Sequence, residues 1–169
     1  YGFKYIDGGA GNDVFDSFNS AYLTGGSGAD VFRLSGQDMA NPETFGIRDN
    51  SQPYVEGAKE GINGYDHNRD GVLDLATELD WTWVPLIADF TPGEDKIALT
   101  VLNWTGTNVP QVKKSDISLE QGTGELANHT LIIMTGREAE NRGFENGGII
   151  GVLLDTNVSD VSLETDFEE

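Results

Sequence analysis

The sequence predicts an all-β fold: a coil of short strands, here called the roll, and a β-rich second half, here called the cap, with an irregular insertion between them. Three observations carry this reading. A glycine-aspartate cluster occurs twice near the amino terminus, in phase with a regular spacing of large apolar residues. Residues 36–83 lack clear periodicity and include Pro42, Pro53 and an acidic loop. From residue 84 onward, short apolar runs alternate with turn residues, as successive strands require.

The roll comes first. Gly8-Gly9-Ala10-Gly11-Asn12-Asp13-Val14-Phe15 and Gly25-Gly26-Ser27-Gly28-Ala29-Asp30-Val31-Phe32 both fit G-G-x-G-x-D-x-U, where U is a large apolar residue. Glycines permit positive φ and let carbonyl oxygens converge with no Cβ in the way. The aspartate closes the turn with a carboxylate, and hard oxygen donors of both kinds are what calcium prefers. Ile6, Phe15, Leu23 and Phe32 follow one another at spacings of 9, 8 and 9 residues, which makes four consecutive strands of a coil. The two clusters then lie two strands apart on one side of the coil. One such turn alone is equally an ordinary Gly-Asp turn; two copies in phase with the apolar residues favour calcium. Asp13 and Asp30 are expected to face one another across a single ion, with Gly8, Gly9, Ala10, Gly11, Gly25, Gly26, Ser27 and Gly28 forming its cradle. The opposite turn, residues 16–22, has lost its glycines and is one residue short, so it is expected to bind nothing.

The insertion, residues 36–83, contains "DHNRDGVLD" at 66–74. Asp66, Asn68 and Asp70 alternate before Gly71, a backbone carbonyl follows at Val72, and Asp74 comes next. This matches the first nine positions of an EF-hand-type loop. Thr77 stands at the twelfth position and Glu78 one place later, so the bidentate ligand would have to come from Glu78 or be replaced by water. The bland alternative is a solvated Asx-rich turn. His67 is expected to face solvent.

The cap, residues 84–169, begins with two apolar strands around the turn "TPGED". Strands are expected at "DISLEQ", "HTLIIMTG" and "GGIIGVLLD", with "NVSDVSL" as a further candidate. "REAENRG" reads as a short helix or a polar loop.

Composition narrows the function classes. Ten basic residues against 29 acidic give a formal charge of −19, which argues against nucleic acid and for solvation or cation recruitment. The absence of cysteine excludes disulfides and thiolate chemistry. No apolar run is long enough to span a bilayer, and the chain starts within a repeat, as a piece of a longer polypeptide would.

Gly25 to Leu34, followed by Ile87-Ala88-Asp89-Phe90-Thr91-Pro92-Gly93-Glu94-Asp95-Lys96-Ile97-Ala98-Leu99, resembles the carboxy-terminal RTX (haemolysin-type calcium-binding) module of type I secreted bacterial proteins. The module occurs after serralysin-type proteases and as the R-modules of mannuronan epimerases. The resemblance covers roughly residues 5–34 and 84–167; the common pattern lacks 36–83. Ala98 stands where the family often has aspartate, and the terminal Phe167-Glu168-Glu169 is more acidic than usual. The resemblance implies a short, calcium-loaded parallel β-roll continuing into a β-sandwich-like cap, export by the type I secretion machinery, an extracellular or cell-surface location, and Asp89 either as a ligand near the last turn or as a turn cap.

Catalytic patterns fail. G-x-S-x-G is broken by Ala29, H-E-x-x-H is absent, and Gly122 to Ala127 reads as a hairpin turn rather than a dinucleotide fingerprint. Glu94 and Asp95 read as a solvated charge pair. Trp81, Trp83 and Trp104 fit core packing better than a sugar platform. The expectation is a non-catalytic, calcium-binding folding module of a secreted protein. Two alternatives stand beside it: a calcium-stiffened adhesin or surface-layer subunit contacting glycan or its own copies, and an accessory domain of an upstream hydrolase, protease or epimerase.

Overall fold

The computed structural model describes residues 4–17, 21–35, 84–100, 112–123, 126–136 and 147–169. The acidic loop, with Asp66, Asn68, Asp70, Val72, Asp74 and Glu78, lies outside the described residues, as do the three tryptophans and "REAENRG".

The repeat spacing produces the coil expected of it. Strands β1 (Lys4–Asp7), β2 (Val14–Ser17), β3 (Ala21–Thr24) and β4 (Val31–Ser35) alternate between two sheets. β1 pairs in parallel with β3, placing Ile6 beside Leu23, and β2 pairs in parallel with β4, placing Phe15 beside Phe32. The apolar U residues therefore stack in register. Phe15 and Phe32 stack with ring centroids 4.9 Å apart and planes 9° from parallel.

The cap continues both sheets instead of forming a separate body. β5 (Leu86–Ile87) joins β3, and β6 (Lys96–Thr100) joins β4, each in parallel, so that 84–100 forms a further coil. β10 (Phe167–Glu168) closes the four-stranded sheet in the order β10-β6-β4-β2. β7 (Ile117–Gln121), β8 (Thr130–Met134) and β9 (Gly148–Leu153) complete the six-stranded sheet β1-β3-β5-β9-β8-β7. β7–β8 and β8–β9 are antiparallel, whereas β9 meets β5 in parallel. Among the described residues the ordered structure is β-strands and short 3-10 turns, an all-β fold with parallel coils.

"NVSDVSL" departs from its strand expectation. Val158–Asp160 is a 3-10 turn whose start is capped by Asn157, the side chain accepting from the Ser159 amide. Asparagine and serine offer the backbone a local bond that competes with a strand ladder. The closing strand forms just after it, at Phe167.

Two apolar layers result. Phe15, Leu23, Phe32, Leu34, Ile87, Ile97, Leu99, Ile150 and Phe167 fill the space between the sheets. A second buried cluster, including Val84, Leu86, Leu131, Ile133, Ile149 and Val152, occupies the other face of the six-stranded sheet. β9 serves both layers through a register shift opposite Ile132–Ile133. A β-bulge re-aims the side chains that follow it. Gly151 leaves room for Leu34, whose Cδ1 lies 2.9 Å from where a Cβ would stand.

Candidate metal centre

The coil brings the two glycine-rich turns into direct contact. Gly11 donates to the Ser27 carbonyl at 2.8 Å, and Ser27 donates to the Gly9 carbonyl at 2.9 Å. Ala10 and Ser27 form a parallel bridge. Glycine is required here by shape: a Cβ on Gly26 would strike the Gly9 carbonyl, and one on Gly28 the Gly11 carbonyl. Gly9, Gly11, Gly26 and Gly28 all have positive φ, between 88° and 127°, which L side chains rarely adopt.

Asp13 and Asp30 occupy equivalent places one coil apart, each carboxylate leaning into its own turn. The Asp13 amide donates to Asp30 Oδ1 at 2.9 Å. Asp30 is 1% exposed. Their remaining oxygens, Asp13 Oδ2 and Asp30 Oδ2, are buried with no hydrogen-bond partner; among the described residues only Ser118 Oγ shares that condition. A buried acceptor left without a donor costs about 1–3 kcal/mol, more when charged.

Each free oxygen lies where a side chain has been left out of its own turn. Asp13 Oδ2 lies 2.7 Å, and the Gly25 carbonyl 2.8 Å, from the point a Gly8 Cβ would occupy. The Phe15 ring edge lies 2.9 Å from the same point. Gly25 has the same relation to Asp30 Oδ2 and to Phe32. An orphaned carboxylate oxygen, a carbonyl and a cradle without Cβ atoms fit a hard cation with oxygen ligands. Among the described residues no group of three or more His, Asp or Glu side chains converges to hold a metal. Such a site therefore relies on backbone oxygens to complete two carboxylates.

The next turns of the stack are closed differently. Asp95 follows Asp30 in register, and its Oδ1 accepts from the Asp30 amide at 2.9 Å while Oδ2 accepts from the Thr91 amide at 2.8 Å. Asp166 repeats this with Gly93 at 2.9 Å and Ser162 at 2.8 Å. In both, an amide four residues upstream takes the oxygen that stays free in Asp13 and Asp30. Asp95 is 3% exposed, which corrects the reading of Glu94-Asp95 as a solvated charge pair. The signal was present in the sequence: Asp95-Lys96-Ile97 repeats the D-x-U of Asp13 and Asp30.

Asp89 is arranged as a turn cap. Its Oδ1 accepts from the Gly25 amide and its Oδ2 from the Gly26 amide, both at 2.8 Å. Ala10, Ser27 and the glycines Gly8, Gly9, Gly11, Gly25, Gly26 and Gly28 all stand in the two stacked turns.

His129 was not singled out by sequence and is buried immediately before β8. Its Nδ1 accepts from the Asp155 amide at 2.9 Å, which requires that nitrogen to be unprotonated. Burial pushes its pKa below the ordinary 6.5, partly opposed by the nearby Asp155 charge.

No protein-family model matches the chain, and no curated protein matches it. Among solved structures, the solution structure of the AlgE6R3 subunit from the Azotobacter vinelandii mannuronan C5-epimerase is similar over 98% of this chain and 66% of that one, with a TM-score of 0.46 and 18% identity. The chain thus spans 66% of that structure's length. Among the described residues no helix is long and apolar enough to cross a membrane.

Proposed function

We propose that this chain is a non-catalytic, calcium-binding RTX-type module that folds when it meets extracellular calcium. The observation that supports it is the pair of buried, partnerless oxygens Asp13 Oδ2 and Asp30 Oδ2, set against Asp95 and Asp166 in the same stack. One fold offers the same carboxylate two ways of being satisfied. Where an upstream amide is in place, the turn closes on itself; where the turn is G-G-x-G-x-D, an oxygen is left over.

Asp13, Asp30 and the carbonyls of the Gly8–Gly11 and Gly25–Gly28 turns would hold the ion. Bound calcium would supply positive charge beside the two Oδ2 atoms, which otherwise have no donor. The chain's own residues do the rest: the glycines bring the carbonyls in, and Phe15 and Phe32 shut water out beneath the turns. Without that charge, a net −19 chain with 22 glycines is hard to order. At millimolar calcium, a site with Kd near 10⁻⁴ M contributes about 1.4 kcal/mol, enough to matter in a marginally stable domain. Such a module stays unfolded in the calcium-poor cytosol, suited to type I export, and folds outside. Asp66, Asn68, Asp70, Val72, Asp74 and Glu78 form a second proposed site.

Far-ultraviolet circular dichroism during a calcium titration tests the reading. A saturable gain of β signal, reversed by chelator, is expected; identical spectra in chelator and in millimolar calcium would sink it.

A further inference from the structure

We propose that Asp89 and Asp95 are positioning residues for the ion, setting the aim of its backbone ligands without touching it. The inference rests on the calcium reading above and assigns the cap a part in it.

Three amides of the second turn are held by carboxylates that come from the cap. Asp89 takes the Gly25 and Gly26 amides, and Asp95 takes that of Asp30. Asp95 is itself fixed by the Thr91 amide at 2.8 Å, and the Lys96 amide donates to the Asp30 carbonyl at 2.8 Å. The second turn is thus fastened at its first, second and sixth positions by bonds that involve no ion.

Peptide planarity converts this clamp into ligand alignment. In a trans peptide the C=O points opposite the N–H of the next residue. Holding the Gly26 N–H on Asp89 Oδ2 therefore fixes the direction of the Gly25 carbonyl, and that oxygen shares the cradle at Gly8 with Asp13 Oδ2. Asp95 acts one step deeper. It fixes the Asp30 backbone, and Asp30 Oδ1 then fixes the Asp13 amide, leaving both Oδ2 atoms for the ion. The first turn is anchored through the second, so the cap reaches it by relay. Both oxygens of Asp89 already accept from amides, which sets its role apart from that of a ligand.

Terbium in place of calcium provides the test, with luminescence lifetimes in H2O and D2O counting the waters on the bound ion. Asp89→Asn keeps one acceptor and should bind the same number of ions as wild type. With the Gly25 carbonyl released, an added water is expected on the ion, and chelator-driven release should quicken by about tenfold. Val152→Ala, which trims the remote apolar layer, should leave water count and release rate at wild-type values. Asp95→Asn carries the same expectation as Asp89→Asn and serves if the latter does not fold. Wild-type water count and release rate in the folded variant would overturn the inference, and so would the loss of one bound ion, which would make Asp89 a ligand. If wild type binds no terbium, the calcium reading itself falls.

Discussion

Gly9 and Gly26 share a left-handed backbone, with φ of 88° and 96°, yet they should answer differently to an added methyl group. A Cβ on Gly9 meets nothing within 4 Å, whereas one on Gly26 meets the Gly9 carbonyl. Gly9→Ala is expected to cost only the left-handed conformation, about 1–2 kcal/mol. Gly26→Ala must in addition push the two turns apart, so urea unfolding in calcium should show the larger loss by about 1–3 kcal/mol. His129 gives a second prediction. Its lowered pKa means that the unfolded chain binds a proton more readily than the folded one below pH 6.5. Stability is fully present above 6.5 and falls as pH drops through the window between 6.5 and the lower folded value. Urea midpoints across that window should slope in wild type, and His129→Gln should lose that component. The sequence showed Asp13 and Asp30 because they repeat together with their glycines. It hid Asp95, whose turn keeps the aspartate and the apolar residue but drops the glycine doublet, so that adjacent Glu94 made it look like surface charge.

At the scale of elements, turns closed by amides differ from exposed pairs of the same residue type. Asp166 is 1% exposed and serves the Gly93 and Ser162 amides. Asp166→Ala strands both amide donors and should cost about 3–6 kcal/mol, at about 1.5–3 per lost charge-assisted bond. Asp16 bonds Arg33 Nη1 at 3.1 Å on the open surface, and Asp16→Ala should cost less than about 1 kcal/mol. Thermal melts in saturating calcium compare the two. The strands β1 to β4 were legible because inward residues recur at a near-constant spacing, and a coil has little other way to bury them. β10 was not, because Phe167 gains its burial from pairing with Ile97, some 70 residues away in sequence. "NVSDVSL" has strand-like valines, but its Asn157 side chain settles the backbone locally first.

For the whole molecule, charge and the proposed ion binding should make separable contributions. Without calcium, added sodium chloride should stabilise the chain gradually by screening its −19 charge, with no midpoint. Calcium at far lower concentration should give a saturable transition, abolished in Asp13→Asn/Asp30→Asn. Circular dichroism under both titrations distinguishes screening from site binding. The coil was legible from periodicity and the family resemblance implied a roll continuing into a cap, but the pairing by which the cap joins both sheets was not. That arrangement depends on β9 changing register to meet a parallel neighbour on one side and an antiparallel one on the other, which no local pattern announces. The chemistry at 66–78 stands where sequence left it.

The exposed large apolar side chains among the described residues, Tyr5, Ile6 and Val14, all belong to β1 and β2, which end their respective sheets. Among the described residues no strand pairs with the outer edge of either, so these edges repeat the backbone pattern found inside the stack and could receive one more coil without rearrangement. Asp7 and Asp16, exposed on those same strands, make that end of the stack repel anything equally acidic. An ion held as proposed would also reduce the charge near that end. Order and stickiness should therefore rise together as calcium is added.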